Sequence, residues 1–588
     1  MATRTRLVLL AFLIVLACTA PAAAQSVRFV SLRPSGAPGE WTATITGRGA
    51  KNPGALIFWA DGQPVAAEAV GSGGDPVQVR LRGVPAGALR IEAGSGKEHS
   101  AAVVVGAESP EAGPFDDWII YHVMVDMFAN GTPSNDGEIT GWKHPNYAGG
   151  DLQGILEHAG YIQTLGANAV WLSPVFAAKS SHGYDVTNYY RIANAVAVPN
   201  DPAASLDLFH KLVADLHGRG IKVILDIPLN HASAGYDRGD GDPDKLHPRA
   251  TTGRQEAEKL WDSWGAGYRY WDFDHPPTRQ FLKNAALFWL TRQDVDGLRL
   301  DYVRGVPHDF WSELYGEVKK AKPGAFLVGE AWIDQQGPEA NAREIATYFE
   351  KPGGKPQLDS LFDFPLQSVL TDVFAKGNPA VDLESWLQQS EAAYGPGTHP
   401  TRFLDNHDLS RFLSWTDKPQ RLTAAVGFLA ALSGPIDLFY GTETGLANGA
   451  PKTGFVDAGR IPMPWKSLNE SLVGQVSQIL AARRQHPALS RGGRFPLLAE
   501  RDQLVMAKVA EGETILVGVN LANEPKEVTV DVAGLLPGRV PAFLPLLGDA
   551  PVTGITETSF KWRLPALSTV LVRATAAVPG RLGASGPR

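Results

Sequence analysis

Thiols are almost absent from this chain. Its 588 residues include one cysteine, Cys18, inside an N-terminal apolar run. A chain cut after that run has no disulfide, no thiolate metal site and no cysteine nucleophile. Excess positive charge is also missing: 54 Lys and Arg against 62 Asp and Glu give a formal charge of −8. Nucleic acid is therefore excluded as the expected partner, because its phosphates call for cationic surfaces. Beyond the N-terminus no stretch approaches the roughly 18 consecutive apolar residues of a membrane span, so no transmembrane segment is expected.

The N-terminal run itself has Arg4 and Arg6 before "LVLLAFLIVLA" and "APAAAQ" after it. A basic start, a short apolar middle and a small-x-small end make residues 1–24 a signal peptide, with a mature chain beginning at Gln25. The protein is expected to be secreted or periplasmic. A minor second reading of "VLAC" is cleavage before Cys18 with a lipid anchor on its thiol, although Leu16 is unusual in such a motif.

What is present is a folded, aromatic-rich chain. Apolar residues are 44% and charged residues 20%, with 15 Trp, 14 Tyr and 24 Phe, a globular composition whose flat apolar faces suit ligands such as sugar rings. The length exceeds one core, at about 150 residues per domain. Short β-like runs ("WTATITG", "ALIFWA", "VQVRLRGV") predict a small β-sandwich over 25–112. From 113 onward apolar strands alternate with amphipathic segments: "WIIYHVMV", "NAVWLSPV", "IKVILDIPL", "VDGLRLDYV", "AFLVGEAW", "LDSLFDF", "TRFLDNHD" and "PIDLFYG". Eight such strands predict an α/β protein with a parallel (β/α)8 TIM barrel over 113–233 and 281–488. The turn-rich stretch 234–280 is expected to be an inserted subdomain, 489–575 a C-terminal β-sandwich and 576–588 a disordered tail.

In such a barrel the chemistry sits at the C-terminal ends of the strands. The third ends "DIPLNH" (Asp226, Asn230, His231), the fourth "GLRLDYVR" (Arg299, Asp301), the fifth "VGEAW" (Glu330) and the seventh "FLDNHD" (Asp405, Asn406, His407, Asp408). Each alone has a structural explanation, such as a helix cap, an ion pair or a turn. Together they bring several carboxylates to one barrel mouth, where mutual repulsion is costly unless it serves function. Arg299 and Asp301 lie two residues apart on one strand face, so the cation is placed to keep that carboxylate ionised. A carboxylate nucleophile beside a carboxylic acid is the equipment of glycoside hydrolysis.

These four segments, in this order, resemble the conserved regions of the α-amylase family of retaining glycoside hydrolases, over about residues 114–575. The resemblance implies Asp301 as nucleophile, Glu330 as general acid/base and Asp408 as transition-state stabiliser. It places Arg299, His231 and His407 around the sugar at the cleavage point and makes Asp226 structural. "HGYDVTNYY" adds Tyr184, expected to stack on that sugar, and His182 close by. "FANGTPSNDG" with "YAGGDLQG" resembles a calcium loop of cyclodextrin glucanotransferases and neopullulanase-like enzymes. The likeness implies a structural Ca2+ held by Asn130, Asn135, Asp136, the carbonyl of Gly149 and Asp151, with Thr132 where an Asn is usual. Arg304-Gly305 stands where α-amylases carry Lys-His, while "VGEAWID" is nearer the neopullulanase form.

The implied function is hydrolysis of α-1,4-glucosidic bonds in starch or maltodextrins, with the Asp301 and Glu330 carboxyls about 5 to 5.5 Å apart and the pKa of Glu330 raised. The rival within enzymes is a cyclomaltodextrinase, neopullulanase or glucanotransferase. The rival outside them is a glycan-binding homologue without activity.

Overall fold

The computed structural model describes residues 27–576 except 36, 71–74, 87, 89, 96–97, 106–112, 137–147, 234–235, 237–267, 334–336, 450–455, 511 and 536–540. The predicted signal peptide with Cys18, most of the predicted inserted subdomain and nearly all of the C-terminal tail lie outside the described residues. No helix among the described residues is long and apolar enough to cross a membrane.

Eight strands form the barrel: β1 (Ile119–Val123), β2 (Ala169–Leu172), β3 (Lys222–Ile227), β4 (Gly297–Leu300), β5 (Phe326–Gly329), β6 (Ser360–Leu361), β7 (Arg402–Phe403) and β8 (Ile436–Phe439). Nearly every residue in them is buried, as expected for a parallel sheet covered on both faces. Their order in the sheet is β6-β5-β4-β3-β2-β1-β8-β7. A parallel bridge between Phe362 and Thr401 closes the ring between β6 and β7. Every strand nominated from the sequence is present.

Helices pack outside the ring for local reasons that can be read residue by residue. In Pro202–Gly218, the Asp201 side chain accepts from Ala204 N at 3.0 Å, Pro202 occupies the first turn, and Phe209, Leu212, Val213 and Leu216 form one buried stripe.

The N-terminal module is a seven-stranded antiparallel sheet, and the C-terminal sandwich has one sheet of five strands and one of three. The two modules share a core in which Phe29, Leu32, Phe58 and Ile91 meet Phe495, Val505 and Trp562. Trp41 stacks on Phe495 at 6.0 Å between centroids, and Phe58 and Trp59 are buried. The aromatic residues of this module are thus used in packing.

The helix Val381–Tyr394 clamps the first strand of that module through one amide. Gln388 Oε1 accepts from Phe29 N at 2.7 Å, and its Nε2 donates to Phe29 O at 2.6 Å. Both residues are fully buried. A buried donor or acceptor left unpaired costs about 1–3 kcal/mol, so Gln388→Leu, which removes both of these bonds and the one that Nε2 donates to Glu384 at 2.7 Å, should destabilise the protein by about 2–5 kcal/mol. Chemical denaturation followed by tryptophan fluorescence measures this; an unchanged midpoint would mean that the clamp contributes nothing.

Candidate active site

At the C-terminal end of the barrel one guanidinium is shared by three carboxylates from three consecutive strands. Arg299, near the middle of β4, donates from Nη1 to Asp226 Oδ1 at 3.0 Å and to Asp301 Oδ1 at 2.7 Å, and from Nη2 to Glu330 Oε2 at 2.7 Å. The parallel register sets Asp226 of β3 beside Arg299 and Arg299 beside Val328 of β5. Inward-pointing side chains of neighbouring strands therefore meet. Arg299 is 1% exposed, Asp226 0%, Glu330 6% and Asp301 8%. The two residues at the mouth keep an edge toward solvent, while Arg299 and Asp226 form the floor.

Tyr302 has a left-handed backbone (φ 44), rare for a residue with a side chain, and its N–H donates to Glu330 Oε2 at 3.1 Å. Asp226 is held further by the indole N–H of Trp171 at 3.1 Å and by the Tyr184 hydroxyl at 2.8 Å. Arg299 also lies over the Trp171 ring, 5.1 Å from its centroid.

A second layer extends the network to β7. The Tyr184 hydroxyl lies 2.8 Å from His407 Nε2, and that nitrogen is 3.1 Å from Asp408 Oδ2. Tyr184 and His407 are nearly parallel, 5.5 Å between centroids. His231 Nε2 is 3.0 Å from the carbonyl of Tyr184, which accepts its proton and turns Nδ1 toward Asp301 at 4.0 Å. His182 accepts from Tyr184 N through Nδ1 at 3.1 Å, and its Nε2 contacts Ser180 Oγ at 2.9 Å. The carboxylate of Asp405 is occupied by Phe412 N and the Thr442 hydroxyl, both at 2.8 Å, and is structural.

Electrostatics separates the carboxyls. Burial pushes Glu330 up to about 8; Arg299 opposes the shift, and Asp301 and Asp408 add to it. Burial also raises Asp226, to about 7, against the pull of Arg299. Burial lowers His231 and His407, so both are neutral hydrogen-bonding groups near pH 7. Three carboxyls around one cation cannot all be ionised cheaply in a low-dielectric pocket, and a proton resting on one of them relieves the imbalance.

Two contributors escaped the sequence reading. Arg460, in the loop after β8, donates from Nη2 to Asp408 Oδ1 at 2.6 Å and from Nε to the His407 carbonyl at 2.8 Å. It lies in a Gly- and Pro-rich loop with no strand-end pattern to mark it. Trp171 lay inside an apolar strand, where periodicity treats an indole as core.

Arg304 donates to Glu344 at 3.2 Å. Gly305 packs so tightly that a Cβ there would stand 1.9 Å from Asn230 Oδ1, so any side chain at this position would displace Asn230.

The five residues of the loop resembling a calcium site also converge. Asn130 Nδ2 reaches both oxygens of Asp136, at 3.0 and 2.9 Å. Gly149 (φ 73) is so close that a Cβ would lie 2.4 Å from Asn130 and 2.6 Å from Asp136. Asp151 caps the helix Leu152–Glu157 through Gly154 N at 2.7 Å and also receives Gly131 N, Thr132 N and Asn135 Nδ2. Asn135 is fully buried, and its Oδ1 has no hydrogen-bond partner.

Comparison with known proteins agrees with this geometry. The model of the alpha amylase catalytic domain matches residues 122–245 and 269–476. A cyclomaltodextrinase of a Bacillus species is 30% identical over 69% of this chain and 72% of its own. Neopullulanase 2 of Thermoactinomyces vulgaris is also 30% identical, over 70% of each chain. Among solved structures, an Anoxybacillus alpha-amylase superposes with a TM-score of 0.67 at 28% identity, covering 79% of this chain and 99% of that one. A barrel closed as this one is, with a shared arginine beneath paired carboxyls and a matching catalytic-domain model, places the chain in the α-amylase family of glycoside hydrolases.

Proposed function

We propose that this protein hydrolyses α-1,4-glucosidic bonds in starch-derived chains with retention of configuration. The observation that carries the proposal is Arg299 joining Asp301 to Glu330, with burial raising the pKa of Glu330. Glu330 donates its proton to the glycosidic oxygen while the Asp301 carboxylate attacks the anomeric carbon. The C–O bond to the leaving sugar breaks and a glycosyl ester forms. Glu330, now ionised, takes a proton from water, whose oxygen attacks the same carbon and frees Asp301. Asp408, fixed by Arg460 and His407, is placed to hold sugar hydroxyls as positive charge develops on the ring.

The names of the relatives support a second reading, cleavage of cyclic maltodextrins, because two 30%-identical relatives are a cyclomaltodextrinase and a neopullulanase. A solved structure at 26% identity, an alpha-amylase of Geobacillus thermoleovorans, is a complex with acarbose and supports an oligosaccharide as substrate. Chromatography of the products from starch, cyclodextrin and pullulan separates the readings: rapid breakdown of starch with slow attack on cyclodextrin is expected, and the reverse ranking would favour the second. Glu330→Gln should lower kcat on maltodextrin by at least about 10³-fold, as removal of a general acid commonly does; near-full activity would overturn the assignment.

The sign of the pH dependence follows from Glu330. Its folded-state pKa is raised, so the acid form persists up to about 8 and is lost above it. The alkaline limb of kcat/KM, which reports the free enzyme, should therefore fall near pH 8. A limb falling near the ordinary glutamate value would assign the proton elsewhere.

We also propose calcium at the Asn130 loop. The support is a set of hard oxygen donors with one buried orphan, Asn135 Oδ1, and a glycine cradle at Gly149. Asn135, Asp136 and the Gly149 carbonyl would ligate the ion directly. Asn130 would ligate after a half-turn of its amide, and Asp151 would hold the loop. A bound ion would brace the segment after β1. Chelation should lower the Tm and added Ca2+ restore it, and Asp136→Ala should abolish the response. A Tm indifferent to chelator would rule the site out.

A further inference from the structure

A cavity of about 70 Å³ lies at the opposite end of the barrel from the carboxylates. One water needs about 10–15 Å³ on such a measure, so the space suits a small polyatomic ion. Three parts of the molecule wall it: Arg90 from the N-terminal module, Arg402 and Ser433 at the starts of β7 and β8, and Arg494 with Lys508 from the C-terminal sandwich.

Cations outnumber carboxylates in its lining. Counting Arg491 at the rim, five Arg and Lys side chains line the space against the carboxylates of Asp116 and Glu391. Both acids are already engaged. Arg494 holds Glu391 at 2.9 and 3.2 Å and Glu384 at 2.5 Å. Asp116 accepts from Gly113 N at 2.7 Å and lies 2.9 Å from His399. Arg90 has Glu92 at 2.9 Å and Arg491 has Asp117 at 3.3 Å.

Lys508 and Arg402 remain. Lys508 is 1% exposed, and its Nζ donates only to neutral oxygens, Ser433 Oγ at 2.5 Å and the Gly492 carbonyl at 2.6 Å. Among the described residues no carboxylate lies within ion-pair distance of it. Arg402, 7% exposed, donates from Nη1 to the Ser433 carbonyl. Its Nε is 3.9 Å from Asp363 and has no hydrogen-bond partner. Two buried cations thus converge on Ser433 with donor capacity left over; Arg402 has only a distant carboxylate in Asp363 and Lys508 has none, and a buried charge so poorly compensated is costly. Burial, reinforced by Arg402 and Arg494, holds the Lys508 ammonium well below its ordinary range. A negative charge in the cavity would relieve both.

We propose that this cavity binds a small tetrahedral oxyanion, phosphate or sulfate, through Lys508 and Arg402, and that the anion staples the barrel to the C-terminal sandwich. Arg491, with a side chain 41% exposed, stands at the entrance. The site is remote from the carboxylates, so it supports structure and takes no part in bond cleavage.

Titration calorimetry of the full-length mature protein at fixed ionic strength tests this with inorganic phosphate, sulfate and glucose 1-phosphate, using chloride as the control. Saturable 1:1 binding of phosphate or sulfate is expected, with a rise in Tm of several degrees that saturates at the same concentration. Stabilisation by exclusion of salt from the surface would instead not saturate. Lys508→Met should weaken binding at least tenfold. Should that variant fail to fold, Arg491→Glu at the rim should weaken binding severalfold while leaving kcat on maltodextrin unchanged. Glucose 1-phosphate binding more tightly than phosphate would support the site and identify an esterified phosphoryl group as its occupant; weaker binding would support it with the free anion. No saturable oxyanion binding by the unaltered protein, or binding equal to it in every folded variant, would overturn the proposal.

Discussion

One guanidinium organises the catalytic end of this protein. Arg299 is the common neighbour of Asp226, Asp301 and Glu330, so three strand ends are tied at a single point and their negative charge is matched by only one fixed positive charge. The mismatch is what makes the site chemically asymmetric. Burial drives Glu330, at the mouth, to keep its proton, although Arg299 lies as close to it as to Asp301. That state does not belong to Glu as a residue type; it comes from how one cation is divided in a space that excludes water.

Much of this was legible in the sequence because it depends on short periods. Parallel strands are continuous apolar runs, and polar residues that interrupt them at their C-terminal ends stand out, which is how Asp226, Arg299, Asp301, Glu330 and Asp408 could be found. Residues that act by tertiary approach leave no such mark. Arg460 reaches Asp408 from a loop with no regular pattern. Gln388 sits on a helix at an ordinary polar position, and only the arrival of the first strand turns it into a clamp. Gly305 looked like a lost side chain, yet the structure gives that space to Asn230.

The terminal modules make the same point. A Trp and Phe cluster near the N-terminus is compatible with a sugar-binding face or with an interface, and sequence cannot choose between them. Here Trp41 meets Phe495 and the module is joined to the C-terminal sandwich through one apolar core. With Arg90 and Arg494 both engaging Glu391 of the barrel, the three parts fit around a polar knot as well as an apolar one.

The closure of the barrel has a consequence for how its catalytic groups are held in step. β6 and β7 are two residues each, and a single bridge joins them. Asp301 and Glu330 stand on one side of this seam and Asp408 on the other. The backbone ladder is therefore a weak ruler for the distance from Glu330 to Asp408. That distance is calibrated across the lumen, through Asp226, Tyr184 and His407, much as a cross-brace squares a frame whose corner joint is light.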